Sequence, residues 1–149
     1  DLPIQIVSTG VKEIYLGVKS KDILHSIKLT DTQIEALTNR YNAVGLYIFT
    51  LDTEHDHSDA HSRNFLPSLG IKEESATGTA GGALASYLQK YIDKTKTKYI
   101  IEQGYSMHKP SEIIAYLDLE DDKITNVYVG GNMRFLDKIE GFNADKKAQ

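Results

Sequence analysis

Residues 75–89 constrain the fold more than any other stretch, because they include no charged side chain and carry two adjacent glycines, Gly81 and Gly82. Ala80, Ala83, Leu84, Tyr87, Leu88 and Tyr91 recur at helical spacing, and Gly81, Gly82, Ala85 and Ser86 make the other face small instead of charged. A helix with no charged face is one that protein covers on all sides. Each glycine in a helix interior costs about 1 kcal/mol relative to alanine. Close approach of a neighbouring backbone is the simplest compensation, so the segment is expected to form a central, enclosed helix.

What encloses it should be sheet. Residues 4–7 and 13–18 have β-branched, alternating patterns joined by the turn signal Ser8-Thr9-Gly10. Residues 44–51 read as a buried strand. Strands are also expected over 98–103, ending at Gly104, over 112–119, followed by the turn Glu120-Asp121-Asp122-Lys123, and over 124–129, ending at Gly130-Gly131. A short helix over 22–28 has Ser20 to cap it. A second helix opens with the capping-box pair Thr30 and Gln33, with Leu29 and Ile34 placed for a hydrophobic staple, and continues through Leu37 and Tyr41. The polar tail 143–149 is expected to fray. The sum is a single α+β domain over 1–149, a curved, mostly antiparallel sheet wrapped around one central buried helix.

Composition narrows the partners. Acidic residues number 21 against 17 basic, which disfavours nucleic acid and anionic membrane surfaces. The absence of cysteine removes disulfides, thiolate metal sites and thiol-based proton transfer. No apolar run approaches the roughly 18 residues of a membrane span. The start DLPIQIVSTG lacks the basic and apolar blocks of a signal peptide. Asp1, followed at once by a strand-like run, reads as a processed or truncated start inside a longer protein. The expectation is a cytoplasmic domain with small ligands.

Arg63-Asn64-Phe65-Leu66-Pro67, then Gly70-Ile71, then Glu73-Glu74-Ser75-Ala76-Thr77-Gly78-Thr79-Ala80 resembles the signature of the PhzF-like family, R-x-F-x-P, G-I and E-D-x-x-T-G-S-A. Val7-Ser8-Thr9-Gly10, the run from Glu102-Gln103-Gly104 through Met107, Pro110 and Ser111, and Val129-Gly130-Gly131 follow in the family's order. The resemblance implies the C-terminal half of a two-domain isomerase with a diaminopimelate epimerase-like fold and its active site in the cleft between halves. It implies that the N-terminal half of the same protein supplies a glutamate and a histidine. The aspartate and serine of the second half fall on Glu74 and Thr79, each a conservative departure, and His108-Lys109 replaces Gly-Arg. Thr77 falls where the epimerases and racemases of this fold carry a cysteine, so two-base cysteine racemisation is not expected.

Helix physics gives the same segment a chemical reading. The first amides of a helix lack internal partners and sit at the positive end of its dipole. Thr77, Gly78, Thr79 and Ala80 would therefore cradle a substrate carboxylate, with Glu74 beside them to donate or accept a proton. The plainer alternative is that Thr77 or Thr79 is an N-cap and Glu74 a solvated residue favourable to the dipole. The leading reading is cofactor-independent proton transfer on a small carboxylic acid, with Glu74 and Thr79 catalytic and this chain inactive alone. The competing reading is a non-catalytic anion-binding or assembly module, and a homodimer is expected under either.

Two other features are read conservatively. Residues 52–61 hold His55, His57, His61 and four carboxylates, which a metal could use, but the segment is taken as a solvated polar loop without metal. His25 is taken as a surface or packing residue. Tyr47, Tyr87, Tyr91, Tyr99, Tyr116 and Tyr128 are taken as core aromatics with wet hydroxyls.

Overall fold

A computed structural model describes residues 2–132; the tail 143–149 lies outside them. The chain runs β1 (Gln5–Ser8), β2 (Lys12–Gly17), α1 (Lys21–Ser26), α2 (Asp31–Arg40), β3 (Gly45–Thr50), β4 (Ala60–Leu66), β5 (Ile71–Glu74), α3 (Gly78–Tyr91), β6 (Lys98–Gln103), β7 (Ser111–Glu120) and β8 (Lys123–Gly130). Single 3₁₀ turns occupy Pro67–Leu69 and Tyr105–Met107.

The eight strands form one sheet ordered β1-β2-β3-β4-β6-β7-β8, with β5 beside β4. The β2–β3 and β4–β6 pairs are parallel and the rest antiparallel. The helix α3 packs against β7 and β8 at one end of this order and against β1 at the other. A sheet whose two ends both reach one helix must curl around it. The sheet is therefore a half-barrel with α3 in its hollow.

Its two faces hold separate apolar clusters. On the concave side, Ala83, Leu84 and Leu88 of α3 meet Tyr15, Tyr47, Phe49 and Ile101 of the sheet. On the convex side, Leu24 of α1 and Ile34 of α2 cover Ile14, Leu46, Ile48 and Phe65. Covered on both faces, β3 and β4 are buried along their whole lengths. Thr30 caps α2 through the expected capping box with Gln33, and Ser20 caps α1.

The two helical glycines are explained by their neighbours. A Cβ on Gly81 would lie 2.8 Å from Ile113 Cγ2, and one on Gly82 would lie 2.9 Å from Val127 Cγ1. Both distances are inside van der Waals contact, so the strands β7 and β8 approach the helix as only glycine allows.

Three expectations need correction. β4 and β5 are strands where none was expected, because the middle of β4 (AHSRNFL) is four buried polar residues, His61 to Asn64, each held by a hydrogen bond from elsewhere in the chain, so it lacks a hydrophobic signature. Tyr116 and Tyr128 are about half exposed, and Tyr91 is partly so; they lie on the outward parity of β7 and β8 and at the end of α3. Within residues 52–61, the polar loop ends before Ala60 and His61, which are fully buried in β4.

Candidate active site

Glu73 and Glu74 end β5 and diverge to opposite faces of the sheet, as the two-residue period of a strand requires. Glu73 receives the Arg63 guanidinium through Nε and Nη2, each at 2.9 Å, in a two-pronged pair. The remaining Arg63 nitrogen, Nη1, donates to the carbonyls of Leu24 and Ile27 at the end of α1. Burial alone would raise the Glu73 carboxyl, but the hydrogen bonds from Arg63 and Ser106 and the Arg63 charge hold it below the ordinary value. This clamp fixes the backbone one residue before Glu74.

On the concave face, the Thr77 hydroxyl donates to Glu74 Oε2 at 2.6 Å. The same hydroxyl accepts from Asn64 Nδ2 at 3.2 Å and from Gln103 Nε2 at 3.0 Å. Both neighbours present N–H groups, so the single hydroxyl proton is committed to Glu74. Gln103 also donates to the Glu74 carbonyl at 2.7 Å, and its own Oε1 accepts from the buried Tyr47 hydroxyl. Thr77 is thus the N-cap residue of α3 by position, but its side chain makes no cap bond. It orients Glu74 instead.

That leaves the mouth of α3 open. Among the described residues, the amides of Gly78, Thr79 and Ala80 donate to no protein acceptor. The carbonyls of this first turn are held from behind: Thr9 Oγ1 donates to Thr79 O at 2.8 Å and Tyr15 OH to Ala80 O at 3.0 Å. The Thr79 side chain is exposed, whereas Ala80 turns its methyl into the core. The turn before the helix is held as well. Ser111 Oγ donates to Ser75 O at 2.6 Å. Gly104, at φ +85°, passes so close to Ser75 that a Cβ there would sit 2.7 Å from its carbonyl oxygen. The Gln-Gly and Pro-Ser elements of the sequence therefore act as scaffolding for residues 74–77.

Glu13 was not anticipated. It lies on β2 at the parity of Tyr15, facing the hollow, and is almost completely buried. Loss of hydration, reinforced by the Glu74 charge and opposed by a hydrogen bond to Asn64, raises its pKa from 4.5 to about 7. Its Oε2 and Asn64 Oδ1 are both buried without a hydrogen-bond partner among the described residues. The sequence signal was available: one carboxylate on the inward parity of an otherwise apolar strand. Asn64 and Gln103 sat inside recognised motifs, but no role attached to them.

The histidines divide. His61 Nδ1 meets Glu102 Oε2 at 2.8 Å, both side chains fully buried on the convex face. His55 and His57 stack on one another, and His57 pairs with Glu112. His25 lies on the exposed end of α1 with its ring edge-on to His61, centroids 5.0 Å apart. Burial, then the His61 and Arg63 charges, lower its pKa.

A half-barrel curled around a buried helix is the architecture of the diaminopimelate epimerase-like fold class. The family model for phenazine biosynthesis-like proteins (PhzC-PhzF) matches residues 1–136, and the chain belongs to that family. An uncharacterised isomerase of Clostridium acetobutylicum is 28% identical over 141 residues, which is 92% of this chain and 47% of that protein. The trans-2,3-dihydro-3-hydroxyanthranilate isomerase of Pseudomonas fluorescens is 29% identical over 132 residues, 87% of this chain and 44% of that enzyme. The crystal structure of a PhzF-family phenazine biosynthesis protein from Bacillus anthracis superposes with a TM-score of 0.78 at 28% identity, covering 87% of this chain and 45% of that one. The chain spans about half the length of the curated relatives it matches. Among the described residues, no helix is long and apolar enough to cross a membrane.

Proposed function

We propose that this chain is the C-terminal half of a two-domain isomerase that moves a proton on a small carboxylic acid without a cofactor. The observation that carries the reading is Glu74 held by the Thr77 hydroxyl at 2.6 Å, three residues before a helix mouth whose amides have no protein acceptor among the described residues. In this reading the amides of Gly78, Thr79 and Ala80 take the substrate carboxylate, as helix N-termini take anions. Thr79 adds a hydroxyl at the rim. Glu74 Oε1, opposite the oxygen that Thr77 holds, protonates or polarises the carbon skeleton. A glutamate base from the N-terminal half completes the pair across the cleft.

Relatives of twice this length and one relative's printed activity support the choice of reaction. The full-length protein in D2O, offered trans-2,3-dihydro-3-hydroxyanthranilate and other small unsaturated acids, should incorporate solvent deuterium into one of them. Glu74→Ala with Thr79→Ala should reduce incorporation by at least about 10²-fold, the low end for a lost general acid. The isolated 149-residue chain should incorporate none. Undiminished exchange in the double variant would remove both residues from the chemistry.

A further inference from the structure

We propose that His61, His25 and Glu54 form a binding site for a divalent transition-metal ion, Zn2+ by its ligand chemistry, on the convex face of the sheet and separate from the Glu74 cleft. One ligand-capable atom from each of the three residues lies within 4.8 Å of the other two. Tetrahedral zinc with bonds of about 2.0–2.1 Å sets its ligand atoms roughly 3.4 Å apart. The required closure is small, and it falls on His25 and Glu54, whose side chains are exposed.

The fixed member is His61. Its Nδ1 lies 2.8 Å from Glu102 Oε2, and both oxygens of that carboxylate already accept backbone amides, from Glu54 and His55, so Nδ1 is placed as the donor. With Nδ1 as donor, the neutral ring carries its lone pair on Nε2. That atom is completely buried and has no hydrogen-bond partner among the described residues. A carboxylate behind the imidazole with the far nitrogen bare is the outer-shell arrangement that fixes metal-ligating histidines. The carboxylate also builds the third ligand's perch: Glu102 accepts the amides of Glu54 and His55, each at 2.8 Å, and so pins the loop that carries Glu54. Two histidines and a glutamate leave a fourth position open, as in zinc sites that keep a water. At present Lys21 Nζ holds Glu54 Oε2 at 3.2 Å, a competitor that the metal must displace.

Calorimetric titration of the chain with ZnCl2 in a non-chelating buffer tests the proposal. One ion per chain should bind. His25→Ala and Glu54→Ala, both at exposed positions, should each weaken binding at least about tenfold, whereas Lys21→Met should tighten it by freeing Glu54. His55→Ala and His57→Ala should leave affinity within about twofold, because neither belongs to the cluster. Zn2+ should raise the melting temperature of the parent chain and not of His25→Ala. Absence of binding at millimolar Zn2+, or binding that survives His25→Ala and disappears in His57→Ala, would overturn the assignment.

Discussion

The concave and convex faces of the same sheet treat buried carboxylates in opposite ways. On the convex face Glu102 receives two backbone amides and an imidazole, and Glu73 a guanidinium; both are held below their ordinary pKa. On the concave face Glu13 has only the Asn64 amide and a like charge nearby, and it is raised to about 7. The faces are one residue apart in sequence: His61 and Glu102 point outward where Ser62 and Gln103 point inward. Strand parity therefore separates a network that stabilises negative charge from one that raises the pKa of an acid beside Glu74. A fold can set two acidities a few ångströms apart simply by choosing which neighbours have N–H groups to give.

The largest effect should come from breaking the convex network. Glu102→Ala strands the buried His61 ring and the Glu54 and His55 amides, and should cost about 3–5 kcal/mol of stability in urea unfolding. A loss under 1 kcal/mol would mean that water replaces the carboxylate.

The concave network should show the opposite pH response. Between pH 4.5 and about 7 folded Glu13 holds a proton that the unfolded chain has released. Stability from this group is full below that window and falls as pH rises through it, by up to ~3 kcal/mol. Glu73 and Glu102, with lowered values, contribute above their unfolded pKa and lose that contribution as pH falls. Glu13→Gln should abolish the loss between pH 5 and 8 in denaturation curves, and an unchanged slope would show that Glu13 is ionised throughout.

A smaller stability effect, coupled to function, should follow Gln103→Leu. It leaves the Glu74 carbonyl without its side-chain donor and the Thr77 oxygen with Asn64 alone, a cost of about 1–3 kcal/mol. In the full-length protein it should lower turnover more than substrate affinity, since Glu74 loses its aim and the α3 amides remain.

α3 and β4 show how legible each part was. α3 declared itself through an uncharged run and paired glycines, because apolar burial leaves a compositional trace. The half-barrel followed from the alternating strands around it. β4 is just as buried, but His61, Ser62, Arg63 and Asn64 are each held by a hydrogen bond from another part of the chain, at Glu102, Glu73 or Thr77. Only tertiary pairing makes such a strand stable, and no local pattern encodes it. Glu74 and the Thr77–Ala80 segment were picked out by motif and helix physics. The Asn64–Thr77–Gln103 bonds that orient Glu74, and the buried Glu13 behind them, required the register of β2, β4 and β6. His61 was seen as part of a histidine-rich loop, whereas strand parity sends it away from His55 and His57 toward α1.

The most direct measurement is a crystal structure of the full-length protein with the aromatic analogue of trans-2,3-dihydro-3-hydroxyanthranilate bound. The account predicts the ligand carboxylate about 3 Å from the amides of Gly78, Thr79 and Ala80, with its ring beside Glu74 Oε1. A carboxylate held elsewhere, with Glu74 beyond contact of the ring, would contradict it.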